Sequence, residues 1–415
     1  MKKKSLSIAA IMFLLVFGLA LNGSAEQGVT DTEIHIGQWS PQTGPAAPWG
    51  AVARGTDAYF KMINAEGGIH GRKIIHHYFD DGYNPAKTVA GVKQLQEDVG
   101  MFGWVSGVGT ACGLAVKDYL MGRKIPWVGP SSGSSHWVDP PQKYLFNDYP
   151  LYSGDAQILV KVAAEKLGLK RIAITYQNDD YGKLGLAGAR KQAAKEGLSL
   201  VAEIPMNVAD TDMAPFVMEL KKANADSVLM FIGVGQVARL IGTGKAMKFD
   251  PRWMTTTTCA DAPLMIAITK GLFAGTIVAN FGLFEPQVVG IGNTEDVNNP
   301  SHPVVKKYYE DAFKKFAAKE ERWGLTFVAG MAYAEPMLEG LKRAGRDLTR
   351  EKFVAAMETI KDFKGSMGRV SYGSFDPNDP HCRVGQTEIF ASEVTADGKY
   401  KVLMDWTEMP YVKID

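Results

Sequence analysis

Two short stretches carry residues that could do chemistry. The first is Gly129-Pro130-Ser131-Ser132-Gly133, which matches G-x-S-x-G, the sharp turn that presents a nucleophilic serine in hydrolases. That turn needs a helix directly after the serine, and Asp139-Pro140-Pro141 stops any helix within a few residues. His302 and His381 lie downstream among many acids, so residue order leaves a secreted hydrolase using Ser131 open as a lesser reading. The simpler uses of these hydroxyls are to hydrogen-bond a ligand or to close a turn. The second stretch is Tyr176–Gly185, "YQNDDYGKLG", where an apolar run gives way to a helical one. Asp179 or Asp180 suits a helix cap and Gly182 the turn into the helix.

Other motifs say less. Gly107–Gly113, "GVGTACG", is a loose dinucleotide fingerprint whose third glycine comes one place late, and the following strand ends without an acid. His76 and His77 are neighbours in a strand and face opposite sides, so they do not make a metal pair. Asp376–Cys382, "DPNDPHC", lacks the glycine and terminal glutamate of a calcium loop. No CxxC, HExxH or P-loop is present, and no cofactor or metal is expected.

The elements that must position these loops repeat a simple unit of apolar run, polar turn and helical segment. Ile34–Trp39, Lys73–Phe79, Met101–Gly107 and Ile125–Pro130 form one series. Arg171–Tyr176, Leu198–Met206, Asp226–Ile232 and Arg252–Thr258 form a second. These runs do not alternate cleanly, as expected of strands covered on both faces. Between them Val52, Thr56, Tyr59 and Ile63 share one helical face that ends at Gly67-Gly68. The fold class is therefore α/β, with two doubly wound lobes around parallel sheets. Past about Gly275 the pattern changes to helices over 301–323, 326–344 and 349–361, then a hairpin around "ADG". In open sheets of this kind ligands bind beyond the carboxyl ends of the strands. The loops there hold Trp49, Gly109, Thr110, Ala111, Ser131, Ser132 and Gly133 in the first half, and Tyr181, Gly233 and Thr257 in the second. Glycines, hydroxyls and aromatics in such places suit a small ligand with a polar head, and free N–H groups at helix starts favour a carboxylate.

Lys2–Lys4, the apolar run Leu6–Leu21 and the small residues Gly23-Ser24-Ala25 read as a cleaved secretory signal over residues 1–25. Removing its three lysines takes the formal charge from +1 to −2, which argues against nucleic acid as a partner. Three cysteines, Cys112, Cys259 and Cys382, are too few to staple a chain of 415 residues.

In order and spacing, "SPQTGPAAPWG", "INAEGGIHGRKI", "YFDDGYNPAKTV", "IPWVGPSSG", "YQNDDYGKLG" and "GLKRAGRDLTRE" resemble the periplasmic solute-binding proteins of branched-chain amino acid ABC importers. The resemblance spans about Glu33 to Trp406. It implies two lobes joined by three hinge crossings, lobe 1 being 26–147 with 277–383 and lobe 2 being 148–276 with 384–415. It further implies a periplasmic monomer that closes on a small-molecule ligand and hands it to a membrane permease, or a sensory domain built the same way. Carried over by residue, Trp49 lies over the ligand, while Gly109, Thr110 and Ala111 take its carboxylate. Ser131, Ser132 and Gly133 add hydrogen bonds, and Tyr181 reaches across from the second lobe. One departure matters: amino-acid binders of this type hold the ammonium with an acid in the loop after the strand ending "RWMTT", and here Thr257 stands nearest that place. Asp261, four residues on, is a nearby substitute. Without it the chain favours an aromatic or aliphatic acid, although a branched-chain amino acid or an amide also fits.

Overall fold

The computed structural model describes residues 26–282, 288–289 and 307–412. The expected signal segment lies outside them. Strand β1 (Glu33–Ser40) is buried along most of its length and organises the first lobe. It pairs in parallel with β2 (Lys73–Asp80) on one side and β3 (Gly103–Val105) on the other. β4 (Trp127–Val128) and β5 (Leu145–Phe146) complete an all-parallel sheet in the order β2-β1-β3-β4-β5. The crossovers are helices α1 (Ala51–Ala65), α2 (Pro85–Asp98) and α3 (Thr110–Gly122).

The second lobe repeats the same order. β6 (Ile172–Gln177), β7 (Ala202–Met206), β8 (Ser227–Phe231), β9 (Arg252–Thr255) and β10 (Ile277–Asn280) run β7-β6-β8-β9-β10, all parallel. Helices α4 (Tyr152–Lys161), α5 (Asp180–Lys195), α6 (Ala214–Lys222), α7 (Val234–Ala246) and α8 (Ala262–Ile268) fill the connections. β11 (Val288–Val289) and the hairpin of β14 (Glu388–Val394) and β15 (Tyr400–Glu408) extend this sheet beyond β10. Between them α9 (Leu325–Ala344), α10 (Arg350–Glu358) and the small hairpin β12 (Phe363–Gly365) with β13 (Gly368–Val370) return to the first lobe. The chain thus passes between the lobes three times. Ile277–Asn280, assigned from sequence to lobe 1, is a strand of the second sheet, because it bonds to β9 on one edge and β14 on the other. The helix expected over 301–323 is described only from Lys307 and turns extended at Ala317.

α9 is clamped to α1 by close backbone approach. A Cβ on Gly330 would meet the Val52 carbonyl, and one on Gly55 would meet that of Phe327, so only glycine fits at either place. The Thr56 hydroxyl donates to Gly330 O at 2.8 Å across the same contact.

Behind the first sheet's loops lies a cluster of four tryptophans, Trp39, Trp104, Trp127 and Trp137, each with no exposed surface. Every indole N–H has an acceptor: Trp39 bonds Val108 O, Trp104 bonds Gln96 Oε1, Trp127 bonds Ser106 O and Trp137 bonds Ser132 O. Three of those acceptors are backbone carbonyls of the strand-end loops, so this core also aims the loops. Trp127→Ala should cost about 3–5 kcal/mol of unfolding free energy in urea. A loss below about 1 kcal/mol, the usual scale of a surface change, would show that the cluster is not a structural core.

Candidate functional site

The strand-end loops of the two sheets face each other across a pocket with an empty volume of about 510 Å³, counting the part open to solvent. Trp49, Val52, Tyr83, Val108, Gly109 and Ser131 line it from the first lobe, joined by Leu325, Ala329 and Tyr333 from the start of α9. Tyr181, Thr257 and Thr258 line it from the second lobe, and Tyr149 and Tyr152 from the first passage between lobes. Among the described residues, no acid, lysine, arginine or histidine lines it. Its polarity comes from hydroxyls and backbone.

The lobes touch around this pocket. Trp49 Nε1 donates to Thr258 O at 3.1 Å, from the Gly/Pro-rich loop after β1 to the loop after β9. The Trp49 ring lies 5.7 Å from Tyr83. Asp80 holds that pair in place. Its carboxylate accepts from Gln42 N and Thr43 Oγ1 in Trp49's loop and from Gly82 N beside Tyr83. At the rim Arg322 from the first lobe reaches Asp261 at 2.5 Å. Asp261 also caps α8 through Leu264 N, so it is engaged away from the pocket and is no substitute for the missing acid.

The sequence-predicted residues divide into those the pocket exposes and those it covers. Trp49, Gly109, Ser131, Tyr181 and Thr257 line it. Gly109 has φ +102 and precedes α3, a backbone shape that favours glycine. Thr110 and Ser132 are buried and bond each other, Oγ1 to Oγ, at 2.8 Å. The Tyr152 hydroxyl sits against both and against Gly133 N–H, so this expected carboxylate cradle is already occupied by protein. Ala111 follows inside α3 and does not line the pocket. Gly233 lines a smaller neighbouring pocket with Trp49, Tyr83 and Gln177. Tyr181 is only 3% exposed, packs on Tyr152 at 4.7 Å and bonds Thr256 and Thr258, so it is core as well as wall. Asp179 is the cap of α5, accepting from Gly182 N. Ser131 has the Tyr333 hydroxyl as its neighbour rather than an imidazole. His381 lines a separate pocket at the back of the hinge. His302 lies outside the described residues.

Sequence reasoning missed Tyr83, Tyr149, Tyr152 and Tyr333. Tyr83 lay within a quoted motif, and the others sit in a hinge passage and a helix, where no strand-end rule looks. It also missed Asp155, on the first turn of α4 and fully buried. Asp155 Oδ2 accepts from Thr257 Oγ1 at 2.8 Å and from Thr257 N at 3.2 Å, while Oδ1 has no partner. Burial pushes this carboxyl up to about 7. Glu335 is likewise pushed up to about 7, and Asp148, unpaired and buried, is raised well above the carboxylate range.

Two parallel sheets of matching order, with a pocket where their strand ends meet, define a two-lobed binding protein. The model of the periplasmic binding protein family matches residues 33–398. The chain belongs to that family. It is 23% identical to the leucine-specific-binding protein of Salmonella typhimurium over 385 residues, which covers 90% of this chain and 97% of that one. A 223-residue stretch is 27% identical to Leu/Ile/Val-binding protein homolog 3 of Brucella melitensis, covering 53% of this chain and 58% of that protein. In structure it resembles a fatty acid ABC transporter substrate-binding protein from Thermomonospora curvata, with a TM-score of 0.78, 23% identity, and 92% and 94% of the two chains covered. Among the described residues no helix is long and apolar enough to cross a membrane.

The three buried acids predict a pH dependence of stability. Each stays protonated in the fold at a pH where the unfolded chain has lost the proton, so the folded state binds more protons. Their contribution is fully present below the ordinary carboxylate range and is lost as pH rises toward about 7, where Asp155 and Glu335 titrate in the fold. Between pH 5 and pH 8 the urea midpoint of Asp148→Asn should gain on that of the unsubstituted chain. A difference between the two that does not change with pH would contradict the burial of this acid.

Proposed function

We propose that the protein is the extracytoplasmic solute-binding component of an ABC importer. It is exported by its N-terminal segment, captures a small carboxylate-bearing ligand by closure of two lobes, and delivers it to a membrane permease. The observation that carries this reading is the uncharged pocket between the lobes, sealed on one side by the bond from Trp49 to Thr258. Contacts that cross the cleft form only when the lobes meet, so a ligand filling the pocket shifts the balance toward closure. The ligand's carboxylate is received by Ser131 and by the backbone at Gly109, both of which line the pocket. Trp49, Tyr83, Val52, Leu325 and Ala329 surround its apolar part. Among the described residues Ser131 lies against the phenol of Tyr333 and not against a histidine, which speaks for binding without bond breaking.

The test is a thermal-shift and calorimetric screen of amino acids, aromatic and aliphatic acids and short amides. A binder gives saturable stabilisation that grows as RT ln(1 + [L]/Kd), and the ligand is recovered unchanged. Trp49→Ala should weaken binding by about tenfold or more, ~1.4 kcal/mol, with little loss of stability because the indole is only half-buried. Undiminished affinity in that variant, or turnover of an ester or amide abolished by Ser131→Ala, would sink the reading.

A further inference from the structure

We propose that Asp155 fixes one wall of the cleft as a hydrogen-bond acceptor, and that the ligand is a 2-hydroxy acid with an apolar tail, an inference that rests on the cleft being the solute site. Thr257 has one hydroxyl proton, and it points at Asp155 Oδ2, 2.8 Å away. The same oxygen accepts Thr257 N–H at 3.2 Å. With Asp155 ionised, Oδ2 has no proton to give and can only accept. Tyr149, whose hydroxyl lies 2.5 Å from Thr257 Oγ1, must therefore donate to it. Both groups line the cleft, and with their protons committed they present lone pairs. The adjoining Thr256, Thr258 and Tyr181 hydroxyls form a closed set with one another, at 2.6 to 3.1 Å, and leave that polarity unchanged.

The neighbouring wall has the opposite character. The Ser131 and Tyr333 hydroxyls face each other and one of the two keeps a free proton, and the backbone N–H groups at the start of α3 are donors. It lies close by, because Ser131 adjoins Tyr333, whose ring is 5.7 Å from that of Tyr149. A donor wall beside an acceptor wall fits a head group with a carboxylate and a donor on the next carbon. An ammonium would supply that donor but would bring a full charge into a lining that, among the described residues, holds no acid. Asp155 is screened from the pocket by Thr257. An acid with hydrogen at the second carbon would leave the acceptors facing it unpaired. A hydroxyl meets both conditions.

The experiment is calorimetry on the mature chain with two matched series. One is 2-hydroxy-4-methylpentanoate, 4-methylpentanoate and leucine. The other is 3-phenyllactate, 3-phenylpropanoate and phenylalanine. In at least one series the hydroxy acid should bind about tenfold tighter than either analogue. Asp155→Asn keeps a carbonyl acceptor for Thr257 and should preserve the order. Thr257→Val and Asp155→Leu should erase the hydroxyl's advantage, read within each variant as the ratio of hydroxy-acid to unsubstituted-acid affinity falling to within about threefold of one. Thr257→Val is close to isosteric, so the comparison survives if Asp155→Leu fails to fold. An amino acid binding tightest, no effect of the hydroxyl, or loss of the preference in Asp155→Asn alone would each overturn the proposal while leaving solute binding intact. No saturable binding by any of the six would overturn both this inference and the carboxylate reading of the cleft.

Discussion

The hydrogen bond between Tyr149 and Thr257 is the join on which the arrangement depends. Tyr149 sits in the first passage between the lobes. Its ring stacks on Tyr333 of α9 and packs 4.6 Å from Phe281, just past β10. One side chain thus touches both lobes and the pocket, and its partner Thr257 is held from behind by Asp155 on α4. The relative placement of the lobes and the polarity of the cleft are set by the same few atoms. Buried hydroxyls of this kind are costly when unpaired, so the network has few alternative arrangements.

The cleft is built from neutral groups, and the charges are kept to its rim and its rear. Arg322 and Asp261 meet at the edge, with Asp261 buried and Arg322 nearly half exposed. Asp148, Asp155 and Glu335 lie inside, where burial keeps them neutral through much of the acid range. A neutral, aromatic-rich cavity suits a ligand whose own polarity is concentrated at one end. The leucine-specific relative and the fatty acid transporter protein show that chains of this fold are named for quite different solutes. The lining, rather than the family, must therefore choose among them.

Much of the fold was legible in the sequence because its signals are local. Runs such as "RIAIT" and "SVLMF", apolar without alternation, can only be strands covered on both faces, and the helical faces between them force parallel crossovers. Trp49, Gly109, Ser131, Tyr181 and Thr257 could be picked out as strand-end residues, and they line the pocket because such loops meet where the two sheets face each other. The placement of Ile277–Asn280 was not legible. Its partner β14 is more than 100 residues away, and no local pattern announces which sheet a strand joins. The occupied cradle around Thr110, Ser132 and Gly133 was hidden for the same reason. Only the folded chain brings the Tyr152 hydroxyl over those groups. Asp155 looked like an ordinary first-turn helix acid, and its burial beneath Thr257 is a property of packing between α4 and the loop after β9.

The central claim is that the lobes close around the solute. The most direct measurement is small-angle X-ray scattering of residues 26–415, first stripped of ligand by unfolding and refolding, then saturated with the solute that stabilises them. The account predicts a smaller radius of gyration in the saturated protein, matching the closed arrangement in which Trp49 reaches Thr258 and Arg322 reaches Asp261. Superimposable scattering curves at saturation would contradict it, since binding would then proceed without the hinge.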